Sequence, residues 1–345
     1  MKLVYTEEEL LREHDYAAPH IVAGYRLHGG FDAEGRYCSP RTAVRWEAVR
    51  GWQTALAERG WDLLPADESL LAYPPYPTGP QMKLLLLHGL DRNLWNSLTI
   101  TGVIEARGRL LTDFHAPCFK RIVAEDVSTM ATGHLNQGLL RAHGMDEGGC
   151  LRRGIGGHDA MWFAVRDLIL GKNRYPAPAI PERIGRPDED KALVPAIALP
   201  FEQTILLLMN VLMIEVRAEV VFRLVDSLLR DPDLFADRRD EAREAVTLVD
   251  RIRQDEAIHV AYLQTVLSEL RSVTFRTVDG GRLAGTDVID PMWKVILHWH
   301  AVENPRLQRA AMRPVVHDRI KAHPDGARLL REFEALDPGD VAVAA

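Results

Sequence analysis

The chain has 345 residues, and the 47% that are hydrophobic suffice for the core of one large or two ordinary domains. A formal net charge of −7, with no Lys/Arg run, argues against a general nucleic-acid binder. Three widely spaced cysteines without a CxxC pair indicate reduced thiols in a cytoplasmic protein. The first residues lack an apolar signal region, and the longest apolar run, 205–214, is too short to span a bilayer, so no membrane partner is expected.

The chain is expected to divide into three parts. Residues 1–80 are predicted to form a mostly helical N-terminal extension, and the proline-rich stretch 73–80 cannot be helical and marks its end. One helix of this extension carries Trp46 and Trp52. These side chains either pack in the core or form a docking surface, and in the second case they are a candidate homodimer interface. Residues 81–272 are predicted to form a helix bundle, and residues 273–345 a C-terminal extension packed on it.

The first predicted bundle helix runs from Met82 to about Thr112. Its apolar face ends at Glu105, a carboxylate that faces the core. Burying an unpaired charge is costly, so Glu105 needs a positive partner. The two interpretations are a metal ligand and an ion pair with Arg107 or Arg109.

The second predicted helix covers about Phe119–Ala142 and places His134 on its apolar face. A single core-facing histidine is usually a hydrogen-bonded core residue, but the carboxylates on other helices favour a ligand here. The glycine-rich stretch 144–157 then leads into a helix that begins near His158. His158 is therefore an alternative metal ligand, because it precedes an apolar stretch.

The third predicted helix runs from Pro200 to about Arg230 and is apolar on nearly all sides at its start. Glu215 and Glu219 follow on one face, a turn apart. Arginines on the same helix are possible salt-bridge partners, but at least one of the two glutamates is expected to bind metal. Glu219 is preferred because it leaves the shorter span to Glu256, and Glu215 stays an alternative.

The fourth predicted helix, from about Asp240 to Leu270, carries the strongest signal. Glu256 and His259 occupy core-facing positions where Leu or Val would be expected. A metal ion satisfies both groups at once, and the alternatives are a buried Glu–His hydrogen bond or a solvent-facing pair. Asp255 is expected to orient His134 or His259 through the other ring nitrogen of that histidine.

Taken together, residues 82–270 resemble a ferritin-like di-iron carboxylate protein. The resemblance implies an all-α fold: a ferritin-like four-helix bundle with a long crossover at 172–200 and helical extensions at both ends. The family carries a second Glu-x-x-His on its second helix, but Ala131 occupies the position of that glutamate. A single ion or a manganese–iron pair is therefore an alternative to two irons. The candidate ligands are Glu105, His134, Glu215 or Glu219, Glu256 and His259, with His158 as the extra ligand.

The resemblance also implies a function. Carboxylate and imidazole ligands suit iron or manganese. We therefore expect an oxidase or oxygenase that uses O2 on a small organic substrate, with electrons from a reductase or from the substrate. The alternatives are a non-catalytic all-α binding or scaffold protein with salt-bridged carboxylates, and an iron-binding protein with a degenerate site. A tRNA-modifying oxygenase is disfavoured by the acidic charge.

Overall fold

The computed structural model describes residues 1–16, 18–187 and 191–338, and over these residues the chain is mostly helical, as predicted. The helices are α1 (Glu7–Leu10), α2 (Thr42–Glu58), α3 (Gly79–Leu87), α4 (Arg92–Gly108), α5 (Leu140–Gly148), α6 (His158–Leu170), α7 (Leu199–Arg230), α8 (Arg239–Arg271), α9 (Gly285–His298), α10 (Asn304–Lys321) and α11 (Gly326–Ala335). Short antiparallel hairpins join β1 (His20–Val22) to β2 (Tyr25–Leu27), β3 (Gly30–Phe31) to β4 (Tyr37–Cys38), and β5 (Thr274–Arg276) to β6 (Arg282–Ala284). None of the helices in the described ranges is both long and apolar enough to cross a membrane.

The predicted helices of the second half of the chain are confirmed, with nearly the predicted bounds for α7 and α8. The first predicted helix is instead two helices, α3 and α4. Gly89 separates them in a left-handed conformation, at φ +70°. The amides of Gly89 and Leu90 bond back to Leu86 and Leu85, which closes α3 in a Schellman arrangement.

The predicted helix over Phe119–Ala142 was wrong. This stretch forms short 3₁₀ turns and a distorted turn around Gly138, and regular helix begins only at α5. The Asp126 carboxylate accepts a hydrogen bond from the Ser128 amide, and such a local hydrogen bond competes with helix formation. Gly133 lies so close to the chain that a Cβ there would be 2.1 Å from the Val127 oxygen.

The two extensions differ from the prediction in different ways. The N-terminal part is less helical than expected, because β1–β4 precede α2. Trp52 is fully buried and donates to the Leu3 carbonyl, so this side chain is internal packing rather than a free interface. The C-terminal part contains helices, as predicted, and also the β5–β6 hairpin. Residues 339–345 lie outside the described ranges.

Helix α8 is central to the packing. It contacts α2, α6 and α7, while α4 packs on α5 and α6. The buried apolar side chains form two clusters: on α8, residues 242–252 belong to one and residues 258–270 to the other. The buried polar residues Asp255 and Glu256 therefore lie between two apolar layers.

Candidate metal centre

Three groups of buried side chains in the described ranges could hold a metal ion. In each group, the candidate ligand atoms lie within 4.8 Å of one another. One group comprises His28, His158 and Asp255. We call the other two position 1 and position 2, and Glu147 belongs to both. Position 1 comprises His143, Glu147, Glu215 and His259, and position 2 comprises Glu105, Glu147, His158 and Glu256.

Position 1 is built from α5, α7 and α8. The Nε2 atom of His143 lies 3.2 Å from Oε1 of Glu215 and 3.5 Å from Oε1 of Glu147. The Nδ1 atom of His259 lies 3.3 Å from the same Glu147 oxygen. The two imidazole rings stack with centroids 3.7 Å apart, so two nitrogen donors approach one volume from the same side.

Position 2 is built from α4, α5, α6 and α8. The Nδ1 atom of His158 lies 2.9 Å from Oε1 of Glu256 and 3.4 Å from Oε1 of Glu147. An oxygen of Glu105 lies 4.0 Å from the same nitrogen. Gly108, at the end of α4, makes room for this arrangement, because a Cβ there would be 2.5 Å from Cγ of Glu147.

Two aspartates fix the ring orientation of two of the histidines. Asp146 Oδ2 lies 3.2 Å from Nε2 of His259, and Asp255 Oδ2 lies 3.2 Å from Nε2 of His158. Each aspartate directly precedes one glutamate of the centre and contacts a histidine from a different helix. Because Nε2 is engaged, Nδ1 of each ring is left facing the glutamates, an arrangement that carboxylates commonly impose on metal-bound histidines.

The N-terminal part of the chain supplies partners for both aspartates. Arg41 donates from Nε to Asp146 at 3.1 Å, and Arg45 donates at 2.6 Å. Burial opposes the charged form of Asp146, but Arg45 and Arg41 hold the pKa of its carboxyl well below its usual range. Asp255 accepts from the Tyr37 hydroxyl at 3.2 Å, and His28 Nε2 lies 3.3 Å away.

The inner glutamates lack such cations, and the pKa is raised for two of them, Glu215 and Glu105. Burial, followed by the charge of Glu256, raises the pKa of Glu215 to about 8. Burial and the neighbouring Glu147 raise the pKa of Glu105 well above its usual range. Burial opposes charge on His259, but the Glu256 carboxylate raises the pKa of that imidazole. Without a metal, protons must therefore neutralise the centre.

Three buried atoms of the centre have no partner with hydrogen-bond geometry within the described residues: Glu147 Oε1, His158 Nδ1 and Glu256 Oε1, the last two being only 2.9 Å apart. Buried polar atoms are nearly always satisfied, so such a convergence calls for a missing partner. A divalent cation accepts electron pairs from all three atoms. The carboxylate and imidazole donors fit iron or manganese.

Five of the seven predicted ligands meet at this centre: Glu105, Glu215, Glu256, His259 and His158. The alternative partners of Glu105 are engaged elsewhere, since Arg107 donates to the Pro181 carbonyl and Arg109 pairs with Asp159. The predicted alternative of a direct Glu–His contact is also present. His259 Nδ1 lies 2.7 Å from Oε2 of Glu256.

His134 does not belong to any of these groups. Its Nδ1 donates to the Met130 carbonyl at 2.7 Å, and its Nε2 accepts from the Tyr5 amide at 3.0 Å. The ring packs on Trp52. Both nitrogens are satisfied, so His134 is a core histidine, and the predicted helix that would have aimed it at the glutamates does not form.

Glu219 is also outside these groups. It receives hydrogen bonds from Arg253 on α8, including one of 3.0 Å from Nε, and Arg223 lies 3.7 Å away. The salt-bridge alternative is thus realised for Glu219, whereas Glu215 enters position 1. The α7–α8 packing places Arg253 opposite Glu219.

His143, Asp146 and Glu147 were missed by the sequence prediction. They lie on α5, which has nine residues and follows irregular chain. One signal could have found them: Asp146-Glu147 repeats the dipeptide Asp255-Glu256, and His143 precedes Glu147 by one turn. His158, at the start of α6, then supplies the one imidazole of position 2.

Comparisons with protein-family models, with curated proteins and with solved structures found no match to this chain. The ferritin-like assignment therefore depends on the ligand set and its order along the helices. It stays a prediction.

Proposed function

We propose that the protein is a non-haem oxidase or oxygenase whose ferritin-like bundle holds two metal ions, two irons or iron with manganese, and that it uses O2 on a small organic substrate. One observation carries the proposal. Two four-residue ligand groups share Glu147, and three of their buried atoms converge without a partner at hydrogen-bond geometry in the described ranges.

The charge distribution favours this function over a scaffold protein. A scaffold with buried ion pairs would match its carboxylates to arginine or lysine, as Asp146 is matched to Arg41 and Arg45. Among the described residues, histidines are the only basic side chains that contact Glu105, Glu147, Glu215 and Glu256. Four buried glutamates without strong cations would destabilise the fold unless protons or metal ions neutralise them.

The surroundings favour oxidation chemistry over storage. Apolar clusters lie on both sides of the centre, and an apolar, water-poor pocket protects reactive species formed from O2. When bound, reduced iron would supply electrons to O2. The role of the chain is to hold the ions through the glutamates, to fix the rings of His158 and His259 through Asp255 and Asp146, and to exclude water.

The test is O2 uptake by protein loaded anaerobically with Fe²⁺. Glu215→Gln and Glu219→Gln form a matched pair, because the substitution and helix are the same and the residues are one turn apart. Rapid O2 uptake in the wild type and in E219Q, with its loss in E215Q, is expected. Uptake no faster than that of free Fe²⁺, or equal uptake in both variants, would refute the proposal.

A further inference from the structure

We infer that the two metal positions are chemically unequal, and that position 1 binds the first ion more tightly than position 2. The inference rests on the proposed metal function and adds an order of loading to it. The ring of His143 creates the inequality, because it lies on α5 one turn before the shared Glu147 and contributes to position 1 alone.

The donor sets differ in nitrogen content. Position 1 combines two imidazoles, His143 and His259, with two carboxylates. Position 2 combines one imidazole, His158, with three carboxylates. Imidazole nitrogen suits Fe²⁺, whereas carboxylate-rich sites suit manganese, so position 1 should prefer iron and position 2 should tolerate Mn²⁺.

The second imidazole of position 1 is held in a binding orientation. His143 Nδ1 lies 2.8 Å from the hydroxyl oxygen of Tyr262, which is fully buried on α8. If Nδ1 donates its hydrogen to this oxygen, Nε2 keeps a free electron pair on the side of Glu215. Stacking on His259 restrains the ring further.

The positions also differ in the number of rigid donors. Position 1 has two buried rings, His143 and His259, at 1% and 0% exposure, whereas position 2 has one, His158, at 0%. An imidazole ring has fewer rotatable bonds than a glutamate side chain. A rigid donor set loses less conformational entropy on binding an ion, which also favours position 1.

Two hydroxyl groups provide matched probes. Tyr262 supports His143 of position 1, while Tyr37 donates to Asp255, which orients His158 of position 2. Tyr262→Phe and Tyr37→Phe each remove one hydroxyl oxygen and leave all candidate ligand residues unchanged. Loss of an outer hydrogen bond to a metal ligand typically weakens metal binding about 10–100-fold.

The experiment is an anaerobic Fe²⁺ titration of the full chain, with the heat of binding measured by calorimetry. The wild type should bind two equivalents in two steps, the first at least about tenfold tighter. Y262F should weaken the first step and Y37F the second. Excess Mn²⁺ added to the iron-loaded wild type should displace one iron and leave the other.

Other outcomes separate this inference from the proposed function. Two equivalents of iron bound with equal affinity would overturn the inference that the positions are unequal. A stronger effect of Y262F on the second step would do so as well. Either result leaves a binuclear centre intact. Displacement of both irons by manganese would overturn the inference in the same way. Absence of any binding would overturn both the inference and the proposed function.

Discussion

Two Asp-Glu pairs of the centre, one on α5 and one on α8, have the same chemistry but different supports. Asp255-Glu256 lies in α8, a regular helix of 33 residues, and the neighbours of Asp255 are histidines and a tyrosine. Asp146-Glu147 lies in the short α5, and Asp146 is held by Arg41 and Arg45. A long helix positions its pair through backbone regularity, whereas the short helix depends on buried ion pairs from another part of the chain.

The comparison predicts the largest effect for the loss of Asp146. In Asp146→Ala, Arg45 keeps no carboxylate partner in the described structure, and breaking a buried pair in this way costs about 3–5 kcal/mol. Asp255→Ala removes a hydrogen-bond acceptor but strands no arginine ion pair among the described residues, so about 1–3 kcal/mol is expected. Urea unfolding of the metal-free variants measures both. Equal losses would contradict the difference in support.

The two glutamates of these pairs should differ in metal content. Glu147 belongs to both positions, while Glu256 belongs to position 2 alone. Glu147→Gln should therefore leave almost no bound iron, and Glu256→Gln about one equivalent, by the sharing of ligands. Elemental analysis after desalting gives the two values. The reverse order would show that Glu147 is not the shared ligand.

The pH dependence of metal binding should reflect the protonated centre. Because Glu215 has its pKa raised to about 8, it carries a proton at lower pH, and that proton must leave before the oxygen binds a metal. Apparent affinity should thus rise between pH 6 and 8, by up to about tenfold per pH unit for each proton displaced. Competition with a chelator of known affinity measures the slope. A flat profile would contradict the predicted protonation of Glu215.

The smallest effect is expected for Glu219→Gln. Glu219 pairs with Arg253, and about a third of each side chain is exposed. An ion pair of this kind contributes less than about 1 kcal/mol, so stability and metal content should stay near those of the wild type. Thermal unfolding and elemental analysis check this. A loss of iron would return Glu219 to the ligand set.

The sequence predicted the ligands that lie on regular helices. Glu256, His259 and Glu215 were found because α7 and α8 keep one helical period over their length. The choice between Glu215 and Glu219 could not be made, since both face the same side and only the packing of α7 on α8 places Arg253 beside Glu219.

The errors fall where the backbone is irregular. A helical period was extended through residues 119–139, where glycines and local side-chain bonds replace the helix, so His134 was assigned to the centre. Asp255 was expected to orient His134 or His259, but it contacts His158. The contacts that α5 and the N-terminal residues make with the centre depend on tertiary packing. The apolar period of a single helix carries no information about such packing.

The most direct test of the account is the metal content of the purified protein, measured by elemental mass spectrometry after expression with iron and manganese supplied. The account predicts close to two equivalents of metal per chain, as two irons or as one iron with one manganese. Essentially no metal in folded protein would contradict it, and the four buried glutamates would then be neutralised by protons and histidines alone.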